Sequence, residues 1–120
     1  MLTKAQRLAR QADLTLVLRK GRKTELIPLR LYARPNSKQL NRFGFLLKER
    51  VLPNAVSRNR WKRIMREIIK RNHKRLQPGQ DLVFVLAQKP LPPLNQLNFA
   101  AWENQVHALL EAAGMLKNHV

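Results

Sequence analysis

The segment AVSRNRWKRIMREIIKRNHKRL, residues 55–76, carries nine Lys or Arg residues and a single acid, Glu67. At about 100° per residue, Trp61, Ile64, Met65, Ile68 and Ile69 gather on one side of a helix. Lys62, Arg63, Arg66, Lys70 and Lys74 fall on the opposite side, with Asn59 and His73 among them and Arg58 flanking the start. The apolar stripe is most simply core-facing, which places Trp61 in the core rather than against a nucleic-acid base. Like charges along one helix repel and raise the cost of folding it, so a polyanion is the natural partner. A cationic strip of this kind suits a phosphate backbone, because contact releases counterions and arginine forks onto phosphate oxygens. Asn59 has two readings. Its amide makes directional bonds to phosphate, ribose or base, or it merely bonds the backbone of the first turn.

The flanking residues set the rest of the fold. Pro53-Asn54 stops an extended run, Asn54 or Ser57 caps the basic helix, and Pro78-Gly79 ends it with a turn. Upstream, RFGFLL at 42–47 reads as a strand, with Arg50 to Leu52 a candidate extension. Leu26 to Ala33 alternates in part, Ile27, Leu29 and Leu31 on one face and Arg30 and Tyr32 on the other. Pro28 marks that strand as an edge or a bulge. The opening, Thr3 to about Arg19, reads as a short helix followed by an apolar stretch. Leu14, Leu16, Val17 and Leu18 there either end a helix or lead toward a strand, and Gly21 marks a turn. Downstream, DLVFVLA at 81–87 suits a strand buried on both faces, and KPLPPLN is a loop. Asn98 caps a last helix that runs through Ala113 to Gly114, with Phe99, Trp102, Val106, Leu109 and Leu110 as its stripe. The order is helix, two or three strands, helix, strand, helix. That is a mixed sheet with helices, α+β in class, in one domain over residues 1–120.

With 24 Lys or Arg against 7 Asp or Glu, the 120-residue chain has a net charge of +17. An excess this large points to nucleic acid first and an anionic membrane surface second. Charge does not choose between RNA and DNA, although no helix-turn-helix pair is evident. Cysteine is absent, so disulfides and thiolate metal sites are excluded. Neither a signal-peptide core nor a run of membrane-spanning length occurs, and the expected location is cytoplasmic. His73, His107 and His119 have no metal-ligand spacing, the acids form no obvious pair, and Ser37 and Ser57 lie beside no base. The chain does not read as a catalyst by itself.

The run AVSRNRWKRIMRE resembles the signature of the protein subunit of bacterial ribonuclease P, with RNR at Arg58-Asn59-Arg60, then Lys62-Arg63 and Arg66-Glu67. Arg7-Leu8, Asp13-Leu14, Val17-Leu18 and Gly21-Arg22 look like that family's opening. Leu31-Tyr32, Arg42-Phe43-Gly44 and Pro78-Gly79 agree in order, so the likeness spans about Arg7 to Leu110. The resemblance implies an α-β sandwich, similar to a ribosomal-protein second-domain fold, with a left-handed β-α-β crossover against the usual hand. It implies two RNA partners, the catalytic RNA and precursor tRNA, whose 5′ leader is removed by magnesium-dependent hydrolysis. Magnesium would be held mainly by the RNA, with no membrane and no protein oligomer required. Arg58, Lys62, Arg63 and Arg66 would contact phosphates, with Lys70 and Lys74 continuing the strip and Asn59 and Arg60 orienting the helix start. Leu14, Leu18 and Tyr32 would line the leader cleft.

This chain departs from the family pattern at three places. Leu14 and Leu18 stand where phenylalanines are common, Glu49-Arg50 replaces a Lys-Lys pair, and Trp61 replaces a smaller aliphatic residue. Weak leader discrimination is the expected consequence. The alternative function is a stand-alone or ribosome-associated RNA-binding protein of the same fold. A membrane-binding helix is the reading from another class, weakened because the apolar face of residues 55–76 is needed for the core.

Overall fold

The structure, a computed structural model, describes residues 3–117. Four strands form a mixed sheet in the order β1-β2-β4-β3: β1 Arg22–Leu26, β2 Leu29–Pro35, β3 Arg42–Leu47 and β4 Gln80–Leu86. Helix α1, Gln11–Lys20, lies on one face. Helices α2, Ala55–Asn72, and α3, Phe99–Ala112, cover the other. β1–β2 and β2–β4 are antiparallel, whereas β3 and β4 are parallel neighbours joined through α2. Parallel neighbours need a long crossover, and the basic helix is that crossover.

Strand alternation divides the apolar residues between two clusters. Leu29, Leu31, Phe43, Leu82, Phe84 and Leu86 meet α2 and α3 in the larger core. Val83, with Val85, Tyr32 and Leu46 at its border, meets Leu8, Leu14 and Val17 in the smaller one. Because β4 contributes to both, its continuous apolar run is buried on both faces. Gly44 lets the second layer come close: a Cβ there would sit 2.8 Å from Leu14 Cδ2 and 3.3 Å from Leu8 O.

Several sequence expectations shift here. Leu26–Ala33 is not one strand; Ile27-Pro28 forms the two-residue turn of the β1–β2 hairpin, leaving Ile27 51 % exposed. β1 itself, RKTEL, had no apolar alternation to announce it. It is a polar edge strand held by backbone pairing and by the Glu25–Arg30 ion pair, and its charges protect the edge from further pairing. Arg50–Leu52 does not extend β3, which ends at Leu47. The opening is a 3₁₀ turn, Lys4–Gln6, then an extended step at Arg7–Leu8 that bridges to β3. Leu14 to Leu18 lie within α1, which resolves the open choice in favour of helix.

Asn54, not Ser57, caps α2 by accepting from the N–H of Val56 and of Ser57. Asn98 caps α3, and Gly114 at φ +71° follows it.

One buried polar group ties the layers. Asp81, 2 % exposed, accepts from Arg42 Nε and Nη2 at 2.8 and 2.7 Å and from Asn36 Nδ2 at 2.9 Å. Arg42 also reaches Asp13 of α1 at 3.6 Å. Burial by itself would raise the Asp81 pKa, but the bonds from Arg42 and Asn36 and the nearby cations hold it below the usual carboxylate value. A depressed carboxyl contributes stability that is complete above its unfolded value of about 4 and fades as pH falls through the folded value. Asp81→Asn should therefore lose about 3 kcal/mol at pH 7, the scale of a broken buried pair. Urea unfolding at pH 7 and pH 3 checks this: the wild type should lose more stability between the two than the variant does.

Candidate nucleic-acid interface

Burial follows the predicted stripe on α2. Trp61 is 0 % exposed, Met65, Ile68 and Ile69 are buried, and Ile64 is half-buried. The Trp61 ring meets Trp102 of α3 edge to face, 6.1 Å between centroids at 71°. Its indole N–H has no partner among the described residues. That leaves the volume and the aromatic contact of Trp61 as its contribution to the core.

With that face fixed, the cations divide by what they touch. Arg58 turns back: Nη1 donates to the carbonyls of Leu52 at 2.9 Å and Pro53 at 2.7 Å, and Nη2 lies 3.9 Å from Glu49. Arg71 lies 3.5 Å from Glu103 and 5.3 Å over the Phe99 ring, clamping α2 to α3. Lys62, Arg63, Arg66 and Lys70 pair with no carboxylate among the described residues. Asn59, Arg60, Arg63, Lys70 and Lys74 are exposed, while Lys62 and Arg66 are half-buried against the N-terminal segment. Burial, then the charges of Arg7 and Arg63, push the Arg66 pKa below the ordinary arginine value. The guanidinium stays charged, which leaves Arg66 a crowded, partly desolvated cation.

On the α1 side of the sheet lies a groove of ≈ 430 Å³. Leu18, Tyr32, Leu46 and Val85 supply its apolar surface, and Arg30, Lys48 and Arg50 its charge. Arg30 is occupied by Glu25, which leaves Lys48 and Arg50 as the cations without a carboxylate partner among the described residues. The acid at Glu49 is 87 % exposed and turned toward Arg58.

Of the three residues expected together in a cleft, Leu18 and Tyr32 share this groove. Leu14 does not line it. At 8 % exposed it packs in the smaller core and borders a separate hollow beside Arg7 and Arg66. The i, i+4 spacing stacks Leu14 and Leu18 on one helix, but Gly44 draws Leu14 inward and leaves Leu18 at the rim. Lys48, Arg50 and Leu46 were missed as groove residues. Only strand parity in the final register marks Leu46, and the turn after β3 places the two cations.

A family model described as Ribonuclease P matches residues 2–114. The chain belongs to the ribonuclease P protein family. A ribonuclease P protein component from Roseiflexus castenholzii is 33 % identical over 119 residues, covering 99 % of this chain and 94 % of the relative. A second, from another Roseiflexus, is 34 % identical over 116 residues, covering 97 % and 92 %. Among solved structures, the Staphylococcus aureus RNase P protein matches with a TM-score of 0.82 at 23 % identity, over 95 % of this chain and 100 % of that one, a likeness of fold. The Thermotoga maritima RNase P protein matches with a TM-score of 0.74 at 26 % identity, over 88 % and 94 %. The protein component of ribonuclease P is thus the reading that sequence, fold and relatives share.

Separating Leu14 from Leu18 gives a test by stability. Leu14→Phe should overpack the smaller core and cost about 1–3 kcal/mol, whereas Leu18→Phe at the groove should change stability by less than about 0.5 kcal/mol. Thermal unfolding of the two single variants distinguishes them.

Proposed function

We propose that the outer face of α2 binds the catalytic RNA of ribonuclease P and that the groove of Leu18 and Tyr32 holds the single-stranded 5′ leader of precursor tRNA. One observation carries the reading: Lys62, Arg63, Arg66 and Lys70 form a row of cations that pair with no carboxylate among the described residues. Phosphates contacting that row would release counterions and relieve the repulsion around Arg66. Asn59 and Arg60, exposed in the first turns, would bond RNA at one end of the strip, and Lys74 would continue it at the other. Arg58 acts in this reading chiefly by fixing the helix start, through the Leu52 and Pro53 carbonyls.

In the groove, the Tyr32 ring offers the leader a face for stacking, and Leu18 and Val85 offer apolar surface. Stacking on an aromatic contributes about 1–3 kcal/mol per base, so one ring holds the leader less firmly than several would. Lys48 and Arg50 stand where they can meet its phosphates.

The protein positions and the RNA reacts. Among the described residues no group of three or more His, Cys, Asp or Glu is arranged to hold a metal ion. In this reading magnesium is held mainly by the catalytic RNA. No described helix is long and apolar enough to cross a membrane, and the apolar face of α2 is occupied by the core.

The purified chain should show no nuclease activity alone, yet should stimulate precursor-tRNA cleavage by the catalytic RNA at low magnesium; metal-dependent cleavage by the RNA-free protein would reverse the division of labour. Lys62→Ala with Arg66→Ala should weaken RNA binding and lower the slope of log K against log salt by about 0.7–0.9 for each phosphate no longer neutralised. Asn59→Ala should weaken binding with little change of slope. Filter binding across a salt series, with circular dichroism as the fold control, reads both.

A further inference from the structure

β3 is the outer strand of the sheet, and part of its free edge is uncovered. In a parallel ladder, successive residues direct their backbone groups alternately to the two sides. The Leu8 N–H donates to the Phe43 carbonyl at 2.8 Å, which sets Phe43, and by alternation Phe45, facing away from β4. After Leu8 the chain leaves the edge. Among the described residues no backbone bond from outside the sheet reaches Phe45.

Beside this edge lies a hollow of ≈ 270 Å³, between the N-terminal segment and α2. Leu8, Leu14, Gly44 and Phe45 line it together with the cations Arg7, Lys62 and Arg66. The three cations pair with no carboxylate among the described residues. The volume lies below the ~300–1,000 Å³ usual for drug-sized ligands, so it suits one planar ring and not a helix. Apolar lining from Leu8 and Leu14, an open backbone donor and acceptor at Phe45, and three lining cations together match a base, its hydrogen-bonding edge and its phosphate.

We propose that this hollow takes one unpaired nucleotide of a bound RNA. The base lies against Leu8 and Leu14 with its polar edge toward the Phe45 backbone, and the phosphate sits among Arg66, Lys62 and Arg7. The inference rests on the RNA-binding reading above and adds a base-holding subsite apart from the groove of Leu18 and Tyr32. An extended peptide pairing with β3 would use the same backbone groups but leave the three cations without an anion.

The test titrates the ¹⁵N-labelled chain with UMP, AMP and ribose 5-phosphate, with a structured RNA assayed in parallel. At least one nucleotide should bind about tenfold more tightly than the sugar phosphate, the scale of a well-placed base contact, and shift the Phe45 and Leu46 amides. Ala9 is exposed at the rim, so Ala9→Phe should fill the hollow and abolish that preference for a base. Lys62→Gln, a second variant, should weaken nucleotide and sugar phosphate alike. Equal affinities for ribose 5-phosphate and both nucleotides would overturn the proposal, as would base-dependent shifts confined to Leu18 and Tyr32. If that happens while the structured RNA still binds with a steep salt dependence, only the hollow fails. Loss of structured-RNA binding would instead remove the broader reading.

Discussion

The seating of α2 is the constraint on which the rest depends. Its two ends are tied to adjacent parallel strands, and its rotation is fixed by Trp61, Met65, Ile68 and Ile69 in the core. A fully buried large side chain contributes roughly 1.5–3 kcal/mol, so turning the helix to spread its charge would expose several such groups at once. The cations accordingly stay crowded on the outside. Asn54 at the start, Arg58 on the preceding carbonyls and Arg71 on α3 hold the helix against its own repulsion.

The acids explain why that face remains positive. Five of the seven, Asp13, Glu25, Glu49, Asp81 and Glu103, lie within ion-pair distance of an arginine that organises the fold. Arg42 joins α1 to the sheet through Asp13 and Asp81. Arg30 closes the β1–β2 hairpin through Glu25. Arg22 adds a bond to the Ala113 carbonyl at the end of α3. Basic residues in this chain therefore divide into those that build the fold, where an acid or carbonyl meets them, and those that pair with no carboxylate among the described residues and are the ones proposed to meet RNA.

The same sheet separates the two surfaces proposed for RNA. Its α1 face supplies the groove of Leu18 and Tyr32, while its β3 edge and α2 supply the cationic strip and the smaller hollow. β3 contributes to both because successive residues point to opposite faces: Leu46 borders the groove, and Phe45 stacks on Phe84 in the larger core at 5.8 Å. An RNA lying on α2 and a strand lying in the groove would thus be referred to one rigid element.

Sequence alone determined the helical character of residues 55–72 and the buried side of that helix through its apolar period, the doubly buried β4 through its unbroken apolar run, and α3 through its stripe and its Asn98 cap, because each signal is local and spans enough residues to be distinctive. The net charge and the RNR run pointed to RNA without any knowledge of the fold. Tertiary structure decided what local pattern does not encode. β1 has no apolar alternation and exists through pairing with β2, so only the hairpin shows it. Leu14 and Leu18 look equivalent on a helical wheel, yet the absence of a side chain at Gly44 lets Leu14 into the core while Leu18 stays at the groove. Arg58 and Arg66 read alike as cations of one segment. The first is turned onto the backbone before the helix and the second is left facing Arg7, because a charge's role depends on which distant groups the fold brings beside it.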